Sequence, residues 1–320
     1  MATQVLRIKT HVSDDLSLAI QAFFSYCASK NLSENTITYY RYRLQAFQQF
    51  CAQSEMPVTP GNTSTQLLRE FLTHETQVNS STTANHSSIA LRTFFNFLVK
   101  DGFLNENPMD GVERIRRRRT VIETFTSEQI EKILTTCGRN FVGIRDRAII
   151  SVLLDCGLRV TELCTLTLRD ISWTEQMLTV VGKGDIERVV PFGQGARQAL
   201  TQYLTRRGEL DTEALFVSCY GVPLNRYRAR EILLSRCTQA GITGVRCSPH
   251  TFRHTCAVWY LRNGGDVFSL QRLLGHSDLA MTKRYCDSLS AADVQKKHRE
   301  CSPVDNMKLS KPTIGRKRLR

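Results

Sequence analysis

The stretch from Pro249 to Tyr285, PHTFRHTCAVWYLRNGGDVFSLQRLLGHSDLAMTKRY, constrains this chain more than any other. Phe252, Cys256, Val258, Trp259 and Leu261 follow helical spacing, so a helix carries His250 and Arg253, three residues apart, on one face. That face can hold an anion. Gly264 and Gly265 end the helix, an apolar segment from Val267 to Leu274 follows, and Gly275-His276 turns the chain into a last short helix ending near Tyr285. Imidazoles, a guanidinium and a phenol are thereby spread over successive turns of one compact region. Taken singly each has an ordinary reading: a helix-start His, a surface Arg, a loop His, a half-buried Tyr.

A chain of 320 residues divides into about two domains, and 41% apolar content supports proper cores. The formal net charge of +13 points first to a polyanionic partner and second to an anionic membrane surface. The best apolar run, Ala148 to Leu154, meets Asp155, so no helix is expected to span a bilayer. The N-terminus MATQVLRIKTHVSDD lacks an apolar signal core, which predicts a cytoplasmic protein. There the 11 Cys read as small hydrophobes rather than disulfides. None forms C-x-x-C, and Cys237, Cys247 and Cys256 stand at no zinc-ligand spacing to a His, so neither metal nor other cofactor is expected.

Residues 14–104 read as four helices forming a small bundle. Leu16 to Lys30 carries a helical stripe. Ser33 is the expected N-cap of a helix from Glu34 to Ala52, with Ile37, Tyr40, Leu44, Phe47 and Cys51 inward. Pro57 and Pro60-Gly61 make a turn, Thr65 to Thr73 a short helix, and Ser81 to Lys100 a fourth, cored by Leu91, Phe94, Phe95 and Leu98. Tyr39, Arg41, Tyr42 and Arg43 are either DNA contacts or a solvated flank. Asn107-Pro108 breaks the bundle, and within a basic linker, 105–124, five arginines occupy six positions from Arg114 to Arg119, a run suited to lie on phosphates.

The second domain, 125–300, opens on T126-S-E-Q129, a capping box for a helix through Leu134. A strongly apolar helix from Arg145 to Cys156 ends at Gly157, and L158-R159-V160-T161-E162-L163 follows. Glu162, one turn beyond Arg159, reads as an Arg holder or as an ordinary surface ion pair. Met177 to Val181 and Arg188 to Val190 form a hairpin around G182-K-G-D-I-E187, which has no helix after its tip and so is not a nucleotide-binding loop. Helices are expected over Gly195 to Leu204, Arg226 to Ala240 and Ser290 to Arg299, before a flexible basic tail, 301–320.

H250-T-F-R253-H254-T255, L274-G275-H276 and Tyr285, nine residues on, resemble the second box of the tyrosine recombinase (phage integrase) family. L158-R159-V160-T161-E162-L163 matches the first box, G-L-R-x-[ST]-E-L, and the hairpin resembles the family pattern G-K-G-x-K-x-R, with Ile186 where a second Lys is usual. Agreement at so many fixed offsets is a specific signal. The resemblance implies a mostly α fold with a small β-sheet or hairpin: an N-terminal four-helix, SAM-like core-DNA-binding domain and a C-terminal mixed α/β catalytic domain. It implies Arg159, Lys183, His250, Arg253, His276 and Tyr285 as catalytic residues, and a clamp on double-stranded DNA assembled as a homo-tetramer. The segment after Tyr285 would dock on a neighbouring protomer. With about a dozen residues before the first helix, the chain looks closer to two-domain Xer-type or mobile-element enzymes of a prokaryotic cell than to arm-binding integrases.

The chemistry fits those residue types. Attack of an oxygen nucleophile on a phosphodiester adds charge to the non-bridging oxygens, which fixed cations should surround. Arg159 and Arg253 supply planar donor forks, and His250 and His276 add shorter donors. Removing one such donor costs on the order of 3 kcal/mol. At pH 7 free tyrosinate is about one part in a thousand, a deficit of roughly 4 kcal/mol. Nearby cations should lower the Tyr285 pKa and a neutral His take its proton; the resemblance favours His250 for this and Lys183 as the acid on the leaving 5′-oxygen. The phosphotyrosyl ester keeps the energy of the broken bond, so neither ATP nor a metal is implied. Two other readings compete: a type IB topoisomerase-like DNA relaxer, and a non-catalytic DNA-binding protein.

Overall fold

Local capping chemistry sets most helix ends. The computed structural model describes residues 12–53, 58–113, 122–182 and 184–303, and the chain divides into two units, Met1–Arg119 and Thr120–Arg320. In the first, the Asp15 carboxylate accepts the Ser17 and Leu18 N–H groups at the start of α1 (Leu16–Ser29). Ser33 caps α2 (Glu34–Cys51) as the sequence predicts, a short 3-10 turn spans Pro60–Asn62, and Ser64 and Ser80 cap α3 (Thr65–Val78) and α4 (Ser81–Lys100). Helix α3 runs past the expected end at Thr73 because Glu75 is a core position. Its carboxylate accepts from Ser87 Oγ at 2.8 Å and Asn79 Nδ2 at 3.0 Å and faces Arg43 at 3.6 Å. A carboxylate in an apolar stripe reads as the end of the stripe unless its partners are known.

The bundle interior is packed aromatic rings: Phe23 meets Phe94 edge-on at 5.6 Å and Phe47 meets Phe71 at 5.2 Å. Met109 and Val112 are buried in the same core, held by Arg69 and Arg92 donating to the Gly111 and Val112 carbonyls, so apolar packing continues past Pro108 into the stretch expected as linker. Of the flanking residues on α2, Tyr39 donates to the His86 carbonyl at 2.7 Å, Arg43 faces Glu75, Arg41 lies over the Phe24 ring, and Tyr42 is exposed. The Arg114 to Arg119 run and the basic tail beyond residue 303 lie outside the described residues.

In the second unit Thr126 and Gln129 form the expected capping box of α5 (Ser127–Thr135). Helix α6 (Phe141–Cys156) begins four residues before the expected Arg145, because the Asn140 side chain caps the Gly143 N–H. Arg145 and Asp146 then sit buried as a pair, with Arg236 on the other Asp146 oxygen. After α7 (Val160–Thr165) comes an antiparallel sheet in the order β1 (Ile171–Ser172), β2 (Met177–Val181), β3 (Glu187–Pro191). Leu178 lies opposite both Ile171 and Val190. The two-residue β1 is too short to show a period in the sequence. Helices α8 (Gln194–Arg207), α9 (Arg226–Gln239), α10 (Pro249–Arg262), α11 (Val267–Leu274), α12 (Leu279–Lys283) and α13 (Ala291–Cys301) complete the unit, with a 3-10 turn over Cys286–Ser288. Helix α6 packs against α8 and α10, and its Ala148, Ile149, Val152 and Leu153 are buried in the core of the unit. Among the described residues no helix is long and apolar enough to cross a membrane, and no His, Cys, Asp and Glu cluster is arranged to hold a metal ion.

Candidate active site

Two left-handed glycines end helices at the same place. Gly157 closes α6 with φ +59° and Gly275 closes α11 with φ +63°. A Cβ at Gly157 would stand 2.8 Å from Leu274 Cδ2, and one at Gly275 would stand 2.9 Å from Arg188 Cδ. The C-terminal carbonyls so exposed carry the negative ends of two helix dipoles. Arg253, on α10, donates Nη1 to the Gly157 carbonyl and Nη2 to the Leu274 carbonyl at 2.7 Å. Burial lowers its pKa to about 10, with Arg159 adding to the effect, which still leaves it charged at neutral pH.

Glu162 is the anion under this cluster. It is 4% exposed, and its carboxylate accepts from Arg159 Nη1 at 2.7 Å, from the Arg159 backbone N–H at 2.8 Å, and from both Arg188 terminal nitrogens at 2.9 and 2.8 Å. Burial pushes the carboxyl up, but the Arg188 and Arg159 bonds and charges outweigh it and hold its pKa below the usual range. The ordinary surface-pair reading of Glu162 therefore fails, because the group is buried and fully engaged. Arg188 also donates Nε to the Leu273 carbonyl at 3.2 Å, tying β3 to α11. The sequence carried two signals for it: Arg188 stands at the closing R of the G-K-G-x-K-x-R pattern, and it shares the inward face of β3 with Val190.

His276 lies against Arg253 Nη2 through Nε2 at 3.1 Å and against Thr282 Oγ1 through Nδ1 at 2.8 Å. Arginine is a donor only, so Nε2 accepts and Nδ1 carries the proton. In this arrangement His276 orients Arg253, and its N–H is engaged by Thr282 rather than offered to a ligand. Burial and the neighbouring Arg253 and Arg159 hold its pKa at about 4, so it is neutral.

Tyr285 stacks on His276 at 11° with ring centroids 6.3 Å apart and is 2% exposed. Its pKa is raised, contrary to the expectation from nearby cations: burial outweighs the lowering by Arg253 and Arg284. The phenol oxygen lies 2.9 Å from Nδ1 of His254, a residue to which the sequence assigned no role beyond its place in the motif. His250 lies one ring further along α10, 6.4 Å from His254 between centroids. Burial, followed by Arg253 and other arginines, lowers the His250 pKa. Both imidazoles open onto a cavity of about 650 Å³ whose wall also carries Arg226, Arg230, Arg246 and Arg284.

Arg159, Arg253, His276 and Tyr285 are thus one bonded and stacked group, with His250 beside it across His254. Lys183 lies outside the described residues; its neighbour Gly182 bonds to the Ile186 carbonyl at 2.8 Å, and a Cβ there would stand 3.9 Å from Glu162 Oε1.

The family model described as the phage integrase family matches residues 123–291, and that of the phage integrase N-terminal SAM-like domain matches residues 20–102. Tyrosine recombinase XerC of Listeria monocytogenes serotype 4b is 35% identical over 276 residues, 83% of this chain and 91% of that protein. Tyrosine recombinase XerD of Listeria innocua serovar 6a is 32% identical over 264 residues, 80% of this chain and 89% of that protein. In fold, a lambda integrase dimer bound to a COC′ core site superposes with a TM-score of 0.73 at 17% identity, covering 89% of this chain and 81% of that one. XerH site-specific recombinase on a palindromic difH substrate gives 0.72 at 19%, covering 91% and 85%. Two matched family models in series, relatives above 30% identity over most of both chains, and the shared fold agree with the motifs around Arg159 and Arg253: this chain belongs to the phage integrase family of tyrosine recombinases.

Proposed function

We propose that this chain is a site-specific recombinase that cleaves and rejoins duplex DNA through a 3′-phosphotyrosine on Tyr285. The observation that carries the reading is the buried cluster in which Glu162, helix-end carbonyls and His276 fix Arg159 and Arg253 beside the Tyr285 ring. Preorganised cations of this kind act on charge that develops in the transition state and need no reorganisation at that moment. Arg159, about a third exposed at its side chain, presents its guanidinium to a phosphate, and Arg253 backs it. His250 opens onto the arginine-lined cavity and adds a neutral donor. Lys183 is the acid for the leaving 5′-oxygen; the hairpin residue beside it, Gly182, lies against Glu162, which supports that role.

A burial this complete keeps the phenol protonated in the resting protein, so it has to lose its proton before it can attack. The enzyme assembles as a homo-tetramer on DNA, the state in which a lambda integrase structure was solved on a Holliday junction. The segment after Tyr285 exchanges between protomers. In support, α13 is tied down by a half-exposed Arg262–Asp293 pair at 3.4 Å and a Lys297 bond to the Gly264 carbonyl, above an apolar groove lined by Leu261, Val267, Leu289 and Val294. Such ties are weak. The protein works on DNA in a prokaryotic cytoplasm, in integration, excision, transposition or dimer resolution.

The test is covalent trapping on a nicked suicide substrate carrying the cognate site. Wild type forms a protein–DNA adduct that EDTA does not diminish, while Tyr285→Phe binds the same DNA and forms none. Relaxation of supercoils without recombinant product would favour the topoisomerase-like reading, and an adduct from Tyr285→Phe would overturn the assignment of the nucleophile.

A further inference from the structure

The resemblance favours His250 as the base on the buried, protonated Tyr285 phenol, but the imidazole beside that phenol is His254, and His250 lies beyond it, 6.4 Å away between ring centroids. The structure gives the Tyr285 hydroxyl one hydrogen-bond partner among the described residues, His254 Nδ1 at 2.9 Å. A simple base is a poor answer. Burial, then Arg284, His250 and Arg253, holds the His254 pKa at about 4, and the phenol is raised above its ordinary value of 10.0. An imidazolium at that position is opposed by the cations facing it, Arg284 from the segment that carries Tyr285 and Arg253 on its own helix, and the neutral His250 ring offers it no counter-charge.

The second ring nitrogen offers another route. His254 Nε2 has no hydrogen-bond partner among the described residues and is not among their orphaned buried polar atoms, so it reaches solvent; the residue lines the 650 Å³ cavity. We propose that His254 relays the Tyr285 proton, Nδ1 taking it from the phenol as Nε2 gives its own to a water or buffer base in the arginine-lined cavity. The imidazole never carries a net charge, so the arginines that oppose imidazolium do not oppose the transfer, and they favour the phenolate that it leaves. The balance closes. The phenol O–H breaks as Nδ1–H forms and Nε2–H is lost to solvent; the phenolate then bonds to phosphorus as the bond to the 5′-oxygen breaks, and that oxygen takes a proton from its acid. Religation runs the same steps backwards and returns His254 to its first tautomer.

This rests on the recombinase reading of the site, and the experiment separates the two. Single-turnover adduct formation is followed on the suicide substrate for wild type, His254→Asn, His254→Ala and Tyr285→Phe, with DNA binding and melting temperature measured for each. Asparagine places an amide near the Nδ1 position and can hold the phenol, but it cannot relay. His254→Asn should slow adduct formation about 10²–10⁴-fold at neutral pH. Its rate should then climb about tenfold per pH unit as the phenol ionises directly. Added imidazole, which fits the cavity, should restore His254→Ala in a concentration-dependent way. A substrate with sulfur at the 5′-bridging position, whose thiolate leaves without a proton, should restore neither variant.

His254→Asn at the wild-type rate would overturn the relay, as would rescue by the sulfur substrate, which would place His254 at the leaving group. If His254→Ala does not fold, the asparagine variant and its pH profile decide alone. In each of those cases an adduct that depends on Tyr285 still stands and so does the recombinase reading. Loss of the adduct from wild type itself removes the reading and the relay together.

Discussion

The two units of this chain have interiors of opposite kinds. In the first, Phe23, Phe47, Phe71, Phe94 and Phe95 are buried against one another, with Glu75 as the acidic side chain buried among them. In the second, Glu162, Arg253, Arg145, Asp146 and Arg207 are buried as deeply as its leucines. Apolar burial is non-directional and scales with area, so the bundle needs only rings of suitable volume. A buried ion network costs desolvation and returns little net stability, but every donor has one place to point. The first unit therefore gains stability from its core, whereas the second uses part of its core to hold geometry.

Glu162→Gln should break this contrast most sharply. It leaves Arg159 and Arg188 close together without their shared anion, at a loss of about 3–5 kcal/mol, and it takes adduct formation with it. Phe94→Ala should destabilise the bundle by about the same 3–5 kcal/mol through an unfilled cavity. Calorimetry of the full chain distinguishes them: the first variant should lower the transition of the second unit and Phe94→Ala that of the first. One merged transition shifted equally by both would end the contrast.

Acid should act on the second unit next. His254 and His276 are held at about 4 in the fold against an ordinary value of 6.5. As pH falls through 6.5 the unfolded chain takes up protons that the folded chain refuses until about 4, so this contribution is complete above 6.5 and lost across that window. The melting temperature of the second transition should fall between neutral pH and pH 4, and His276→Gln should flatten the fall. A rise on acidification would reverse the assignment of neutral imidazoles. Arg169→Ala should do least: its pair with Glu213 spans 3.4 Å at a side chain 82% exposed, and such pairs are worth up to about 1 kcal/mol. A larger loss in chemical denaturation would mean that surface charge in this unit is not the passive kind.

Legibility in the sequence followed the range of the interaction. Ser33, Thr126, Gly157 and Gly275 act on backbone within one turn, and each does in the structure what its neighbours in sequence imply. The start of α6 is set by a local cap, Asn140 on the Gly143 N–H, that lies ahead of the apolar run, whereas the end of α3 depends on partners elsewhere: Glu75 is satisfied from α4 and α2. His254 shows the same limit at the site. Its spacing places it on the helix with His250 and Arg253, but which imidazole meets the phenol depends on how the segment after α12 folds back.

By itself the sequence determined the family, the helical plan of both units and the residue types that could surround a phosphate, because motif offsets and apolar periods are properties of the chain alone. The tertiary structure decided the rest: that Glu162 and Arg188 stand under the arginines, that His276 accepts from Arg253, and that Tyr285 rests buried on His254. Those facts are set by contacts between residues up to 116 positions apart, as in the approach of Arg159 to Gly275. Hydrogen-bond direction and proton affinity depend on which groups are brought together in the dry interior, and the order of residues along the chain does not contain that.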